Sequence, residues 1–167
     1  MVTRVVAAPV DLVWRVFVDP SRRTQWLPRV ATVTVLEGAA PAERVRWRET
    51  YVPSARRAAG LLTAELQLTV IEPGRRCVLG LAGPAVPLHS YVFAPVEVGV
   101  HRGGTVVTVR DDRSAVFADR LFDLVSGGSL ARTVEVALRA ELDALALVCI
   151  AAVAAERGSW HGADSAA

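Results

Sequence analysis

Glu49 is the residue in this chain best placed to do chemistry. It stands in the run Arg44–Val52, where Val45, Trp47, Glu49 and Tyr51 share one face and Arg44, Arg46, Arg48 and Thr50 the other. With the apolar face covered, its carboxylate points inward. An ionised carboxylate in an apolar wall is costly, so its pKa should rise, which suits a general acid or base near neutral pH. The structural alternative is that a bulge turns Glu49 to solvent or that an arginine pairs with it. Asp111 is the second acid. The parity of Val107 and Val109 carries it inward at a strand end; otherwise it is a loop carboxylate opening the turn Asp111-Asp112-Arg113. His89 shares a face with Tyr91 and Phe93 and is a third acid/base candidate, or else a solvated histidine after Pro84 and Pro87. Tyr51 or Tyr91 could donate hydrogen bonds to a ligand carbonyl. Trp26, Trp47 and Phe93 could floor a flat ligand site through ring packing, although Trp14 and Phe17 read as plain core.

Positioning these groups requires a sheet. Val2–Ala7 reads as a short strand rich in β-branched residues. Pro9 suits the first turn of a helix, on which Val10, Val13, Trp14 and Phe17 form one apolar stripe, and Pro20 ends it. A second short helix covers Ser21–Trp26. Strands follow at Ala31–Leu36, Arg44–Val52, Leu62–Val70, Arg76–Leu81, His89–Val96 and Thr105–Asp111, separated by turn signals such as Glu72-Pro73-Gly74. One-sided alternation repeated this often predicts an antiparallel sheet with one wet and one covered face. Leu121, Leu124 and Val125 suggest a helical turn, and Gly127-Gly128 permits a break. From Ser129, Leu130, Val134, Leu138, Leu142, Leu145 and Cys149 recur at threes and fours, with Glu135, Arg139 and Asp143 as a charged ladder elsewhere on the helix. Residues 1–157 are expected to form one domain and 158–167 a flexible tail.

The bulk numbers exclude several classes. With 167 residues, 52% hydrophobic and 22% charged, the chain is globular and long enough for a real core. The net charge of +2 could suggest nucleic acid, but all 19 basic residues are arginine, as a GC-rich coding sequence supplies, and 17 acids balance them. Cys77 and Cys149 lie far apart in apolar runs, and no ligand spacing joins them to His89, His101 or His161, so no metal site is expected. The N-terminus lacks a signal-peptide core, and the apolar run Ala144–Ala155 is too short to span a bilayer. The expected location is cytoplasmic. That run is nevertheless apolar all round, which implies cover by the protein's own loops, a homodimer seam or a lipid-facing lid.

The order strand, two helices, about six strands, long helix is unusual, and particular stretches carry a resemblance. Ala8-Pro-Val-Asp-Leu-Val-Trp-Arg-Val-Phe-Val-Asp-Pro-Ser-Arg-Arg-Thr-Gln-Trp26 resembles the opening of the polyketide cyclase/dehydratase and lipid-transport group of the START-like superfamily. Phe93-Ala-Pro95 with Gly104-Thr-Val-Val-Thr-Val109 is similar to its late hairpin, and Ala115–Leu147, with Leu138-Arg-Ala-Glu-Leu142, to its closing helix. The resemblance implies an α+β helix-grip (START-like) fold: a curved antiparallel sheet wrapped around a long C-terminal helix, with two short helices after the first strand. The sheet would grip the helix incompletely and leave an apolar cavity.

Inward positions then nominate the cavity wall as Trp26, Trp47, Tyr51, Leu66, Leu68, Tyr91, Phe93, Val109, Leu138 and Leu142, with Glu49, Asp111 and His89 as candidate catalytic groups. The expected function is binding of a hydrophobic small molecule, as a polyketide cyclase/dehydratase-like protein acting by cofactor-independent acid/base chemistry. The alternative is a non-catalytic lipid or isoprenoid carrier or sensor, for which a cavity suffices without acids. A further alternative is an interaction module using the apolar end of the last helix. No metal or redox cofactor is implied. The strand Leu66-Gln-Leu-Thr-Val-Ile-Glu-Pro73 carries plain Leu68 and Val70 where aromatase/cyclase relatives tend to carry basic or aromatic residues. The row Arg44, Arg46 and Arg48, with Arg56 and Arg57 beyond, is a solvated face or a docking site for an acidic acyl carrier protein.

Overall fold

The computed structural model describes residues 1–39, 43–52, 62–83, 87–112 and 129–163. In chain order these give β1 (Val2–Val6), α1 (Val10–Val18), a 3₁₀ turn (Pro20–Arg22), α2 (Arg23–Trp26), β2 (Val30–Glu37), β3 (Arg44–Tyr51), β4 (Leu62–Glu72), β5 (Arg76–Leu81), β6 (Pro87–Pro95), β7 (Thr105–Asp111) and α3 (Ser129–Ala163). The strands form one sheet in the order β1-β7-β6-β5-β4-β3-β2, and every neighbouring pair is antiparallel. The expected α+β helix-grip architecture is the one observed. Strands differ from expectation only at their ends, while α3 runs past the 157/158 boundary to Ala163. Arg56, Arg57, the turn at Leu121–Val125 and Gly127-Gly128 lie outside the described residues.

Period-two patterning decides which face of the sheet is covered. Val45, Trp47 and Glu49 of β3, Leu66 and Leu68 of β4, Cys77 and Leu79 of β5, Tyr91 and Phe93 of β6, and Val107 and Val109 of β7 are all buried on one face. Leu138, Leu142, Leu145 and Cys149 of α3 close it from the other side. The opposite face of β3 is paired rather than bare: Arg48 Nη2 lies 2.6 Å from Glu65 Oε1, and Arg46 Nη1 lies 3.1 Å from Glu37 Oε2.

Helix α1 departs from the single stripe read for it. Leu12, Val16 and Val18 are buried as well as Val13, Trp14 and Phe17, whereas Val10 is only partly so. The reason is its position between β6 and α3, which leaves little of it facing water. At its end Asp19 is extended before Pro20, and its Oδ1 accepts from the Ser21 amide at 2.9 Å and the Ser21 hydroxyl at 2.6 Å. This fixed corner sets where α2 starts, and α2 carries Arg23 and Trp26 inward. The Thr105 hydroxyl donates to the Ala8 carbonyl at 2.7 Å and ties β7 to the start of α1.

The run Ala144–Ala155 is not uniformly covered. Leu145, Ala146 and Cys149 are buried, while Leu147 and Ile150 are 69% and 44% exposed. No helix among the described residues is long and apolar enough to cross a membrane.

Candidate functional site

Glu49 does point inward and is 1% exposed, but it is not a lone carboxylate in an apolar wall. The Arg23 Nε donates to Oε1 in a short contact, the Trp47 indole N–H donates to the same oxygen at 2.9 Å, and the Tyr51 hydroxyl donates to Oε2 at 2.7 Å. The structural alternative, an arginine partner, is the arrangement found. A carboxylate only accepts, and three donors satisfy this one without water. Arg23, 6% exposed, is held in turn between two indoles, its guanidinium carbon 5.1 Å from the Trp26 ring centre and 5.2 Å from that of Trp47. A buried charge pair survives only when the geometry is this complete.

Beside this cluster, between the sheet and α3, runs a narrow slot lined by Phe17, Trp26, Tyr91, Val109, Leu138, Glu141 and Leu142. Its unfilled space is about 180 Å³, and nowhere is it wide enough for a water molecule. The hollow interior anticipated from the sequence is therefore a tight seam in this structure. Of the expected wall residues, Trp26, Tyr91, Val109, Leu138 and Leu142 line it; Trp47, Tyr51, Leu66, Leu68 and Phe93 do not. The last three pack in the core behind it.

Aromatic rings make one wall rigid. Phe17 stacks on Trp26 with centroids 5.8 Å apart, meets Tyr91 at 4.5 Å and packs edge-on against Phe93 at 5.2 Å. Burial pushes the Tyr91 hydroxyl well above the ordinary phenol range, and the nearby Glu141 carboxylate adds to the effect. Tyr51 is pushed up as well, first by burial and then by its hydrogen bond to Glu49. Both phenols are therefore held as neutral donors at physiological pH.

Asp111 and His89 form a separate pair. They face each other in the register of β6 and β7, with His89 Nδ1 3.6 Å from Asp111 Oδ1, and both are partly buried. The His89 ring meets Tyr91 edge-on at 6.3 Å, so the pair adjoins the slot through that tyrosine. Asp111 does not join Glu49, whose partners are Arg23, Trp47 and Tyr51. Four strand steps separate β7 from β3, about 19 Å along the sheet at roughly 4.8 Å per step.

Two residues went unread in the sequence although a signal existed for each. Glu141 falls at i+3 from Leu138 and i+3 is a shared helix face, so the stripe Leu138, Leu142, Leu145 already contained its direction. Arg23 lies three residues before Trp26 on α2 and shares its face for the same reason. A roomier concavity of about 740 Å³ opens on the outer surface, lined by Pro9, Arg15, His101, Arg102, Val153 and Glu156 among others. It contains none of the expected site residues.

Comparison with known proteins agrees with the fold. The family model described as polyketide cyclase/dehydrase and lipid transport matches residues 1–149. Among solved structures, the chain is similar to TTHA0849 of Thermus thermophilus, with 18% identity and a TM-score of 0.57 over 90% of this chain and 96% of that one. It is similar to the Zhui aromatase/cyclase of Streptomyces sp. R1128, with 18% identity and a TM-score of 0.54 over 91% and 93%. It is also similar to SA2116 of Staphylococcus aureus, a protein of unknown function, with 13% identity and a TM-score of 0.59 over 91% and 93%. No curated protein matches the chain. On the family match over residues 1–149, the chain belongs to the polyketide cyclase/dehydrase and lipid transport family.

Proposed function

We propose that the chain binds a hydrophobic, ring-bearing small molecule in the seam between its sheet and α3, as a polyketide cyclase/dehydratase-like protein. The observation that carries this reading is the Arg23–Glu49 ion pair buried beside an aromatic-walled seam. A core built only for packing gains little from such a pair, since apolar residues of similar volume serve as well. Entry of a ligand widens the seam by moving α3 away from the rings of Phe17, Trp26 and Tyr91. In the catalytic version, the ligand is held folded against that wall, and orientation supplies much of the acceleration. Glu49 fixes Arg23, Trp47 and Tyr51 in place, and proton transfer falls to the carboxylate of Glu141 and to the His89–Asp111 pair.

The full engagement of Glu49 favours a second reading, a non-catalytic carrier or sensor for a lipid or isoprenoid. Native mass spectrometry of the purified protein tests the shared premise: a co-purifying apolar ligand is expected, and failure of any apolar compound to bind removes both versions. Turnover that is lost in Glu141→Gln while ligand binding is retained marks the enzyme. Binding without turnover in the parent protein marks the carrier.

Two partners belong to the same proposal. An acidic acyl carrier protein docking on the Arg44–Arg46–Arg48 row must displace Glu65 and Glu37 from Arg48 and Arg46, so the contact would be weak and lost at high salt. A homodimer would use the face of α3 bearing Leu147 and Ile150; a sedimentation run showing only monomer removes it.

A further inference from the structure

Two of the buried indoles beside the seam differ in one respect. The Trp47 N–H donates to Glu49, whereas the Trp26 N–H has no acceptor although Trp26 is 3% exposed. A buried donor without a partner is rare in folded proteins and calls for a specific explanation. Water cannot supply the acceptor, because the seam that Trp26 lines has no room for a water molecule. The ring itself is clamped, with Phe17 stacked near it at 5.8 Å and the Arg23 guanidinium 5.1 Å from its centre, so the N–H cannot swing away to find one. That cation also draws electron density from the indole face, which strengthens the N–H as a donor.

We infer that the Trp26 indole N–H is a specificity device: it receives an acceptor oxygen on the ligand and disfavours ligands that are hydrocarbon throughout. Tyr91 lines the same seam and keeps its phenolic proton, so a second donor stands on the same wall. The inference rests on the seam being the ligand site, and adds to it the polarity of the group that the site reads. A site built around an otherwise unsatisfied donor rejects an analogue lacking the acceptor more strongly than shape alone would.

The test uses two probes of one shape, 2-acetylnaphthalene and 2-ethylnaphthalene, titrated into the ¹⁵N-labelled full chain. The four tryptophans give four indole N–H signals, and Trp26→Phe identifies which belongs to Trp26. The expected result is binding of the ketone about tenfold tighter than the ethyl compound, as for one buried donor satisfied or left empty. The ketone alone should move the Trp26 signal downfield. In Trp26→Phe the two probes should bind within about twofold of each other. Equal binding of both probes to the parent protein, with the Trp26 signal moved alike by each, overturns the inference and leaves the ligand site standing. Failure of both to bind overturns the ligand site and the inference with it.

Discussion

At Glu49 three donors, one of them a cation, meet on two oxygens, and the consequences of removing a partner follow from what is left behind. Arg23→Met strands a carboxylate in the interior, and Glu49→Leu strands a guanidinium; each should cost about 3–5 kcal/mol. The double substitution removes both charges and should cost less than either single change, about 2 kcal/mol. That remainder comes from the Trp47 N–H and Tyr51 hydroxyl, which lose their acceptor. Urea unfolding of the four proteins measures this directly, and a double variant less stable than both single ones would contradict the pairing. The direction of Glu49 was legible in the alternation of β3. Its partner was not, because Arg23 reaches it from α2, 26 residues away in sequence, and no local pattern encodes that meeting.

Among the elements, the hairpin joining β6 to β7 makes a strict demand on residue type. A Cβ placed on Gly104 would lie 2.7 Å from the Val6 carbonyl oxygen and 2.9 Å from that of His101, both backbone atoms that cannot step aside. Gly104→Ala should therefore cost about 2 kcal/mol or more and lower the melting temperature by roughly 4–8 °C for a chain of this size. Gly103 has φ of +83° but open space around it, so Gly103→Ala should lose only the left-handed penalty of about 1–2 kcal/mol. Thermal unfolding of the two variants compares contact with conformation; a milder effect at Gly104 than at Gly103 would refute the close approach. The strands themselves were readable because period-two alternation holds over most of each of them from Arg44 to Asp111, with register shifts only at Val70/Glu72 and Leu79/Gly80. Helix α1 was less so: Leu12, Val16 and Val18 looked outward on a single-stripe reading, and its place between β6 and α3 buries them. Residue Glu141 escaped for the opposite reason. Its helix face was legible, but its charge set it apart from the apolar stripe to which it belongs.

For the molecule as a whole, the buried titratable groups set how stability responds to alkali. Burial pushes the Cys77 thiol up to about 12 from an ordinary 9.0, and burial pushes the Cys149 thiol up to about 11 against an opposing pull from Arg22. Tyr51 and Tyr91 are raised above the ordinary 10.0. Each group keeps its proton longer when folded than when unfolded, so its full stabilisation holds below the unfolded value. Above about pH 9 the unfolded chain loses these protons first, and stability falls as pH rises, by up to about 1.4 kcal/mol per pH unit for each group between its two values. The urea midpoint should hold steady near pH 8 and drop steeply by about pH 10.5; an unchanged midpoint would place these side chains in water. The overall architecture was legible from the order of elements. The width of the interior was not, since a few tenths of an ångström per contact, invisible in any pattern, separate a hollow from a seam.

The place of β1 beside β7 also governs how the chain is made. Val2 pairs with Val109, so β1 waits for β7, the last of the described strands, about 5–20 s at ordinary rates of synthesis. Even then part of the concave wall stays bare until α3 emerges, Val109 opposite Leu138 and Leu142 among it. A nascent chain stalled before Ser129 is thus a sticky half-shell, and the cell must shield it or destroy it.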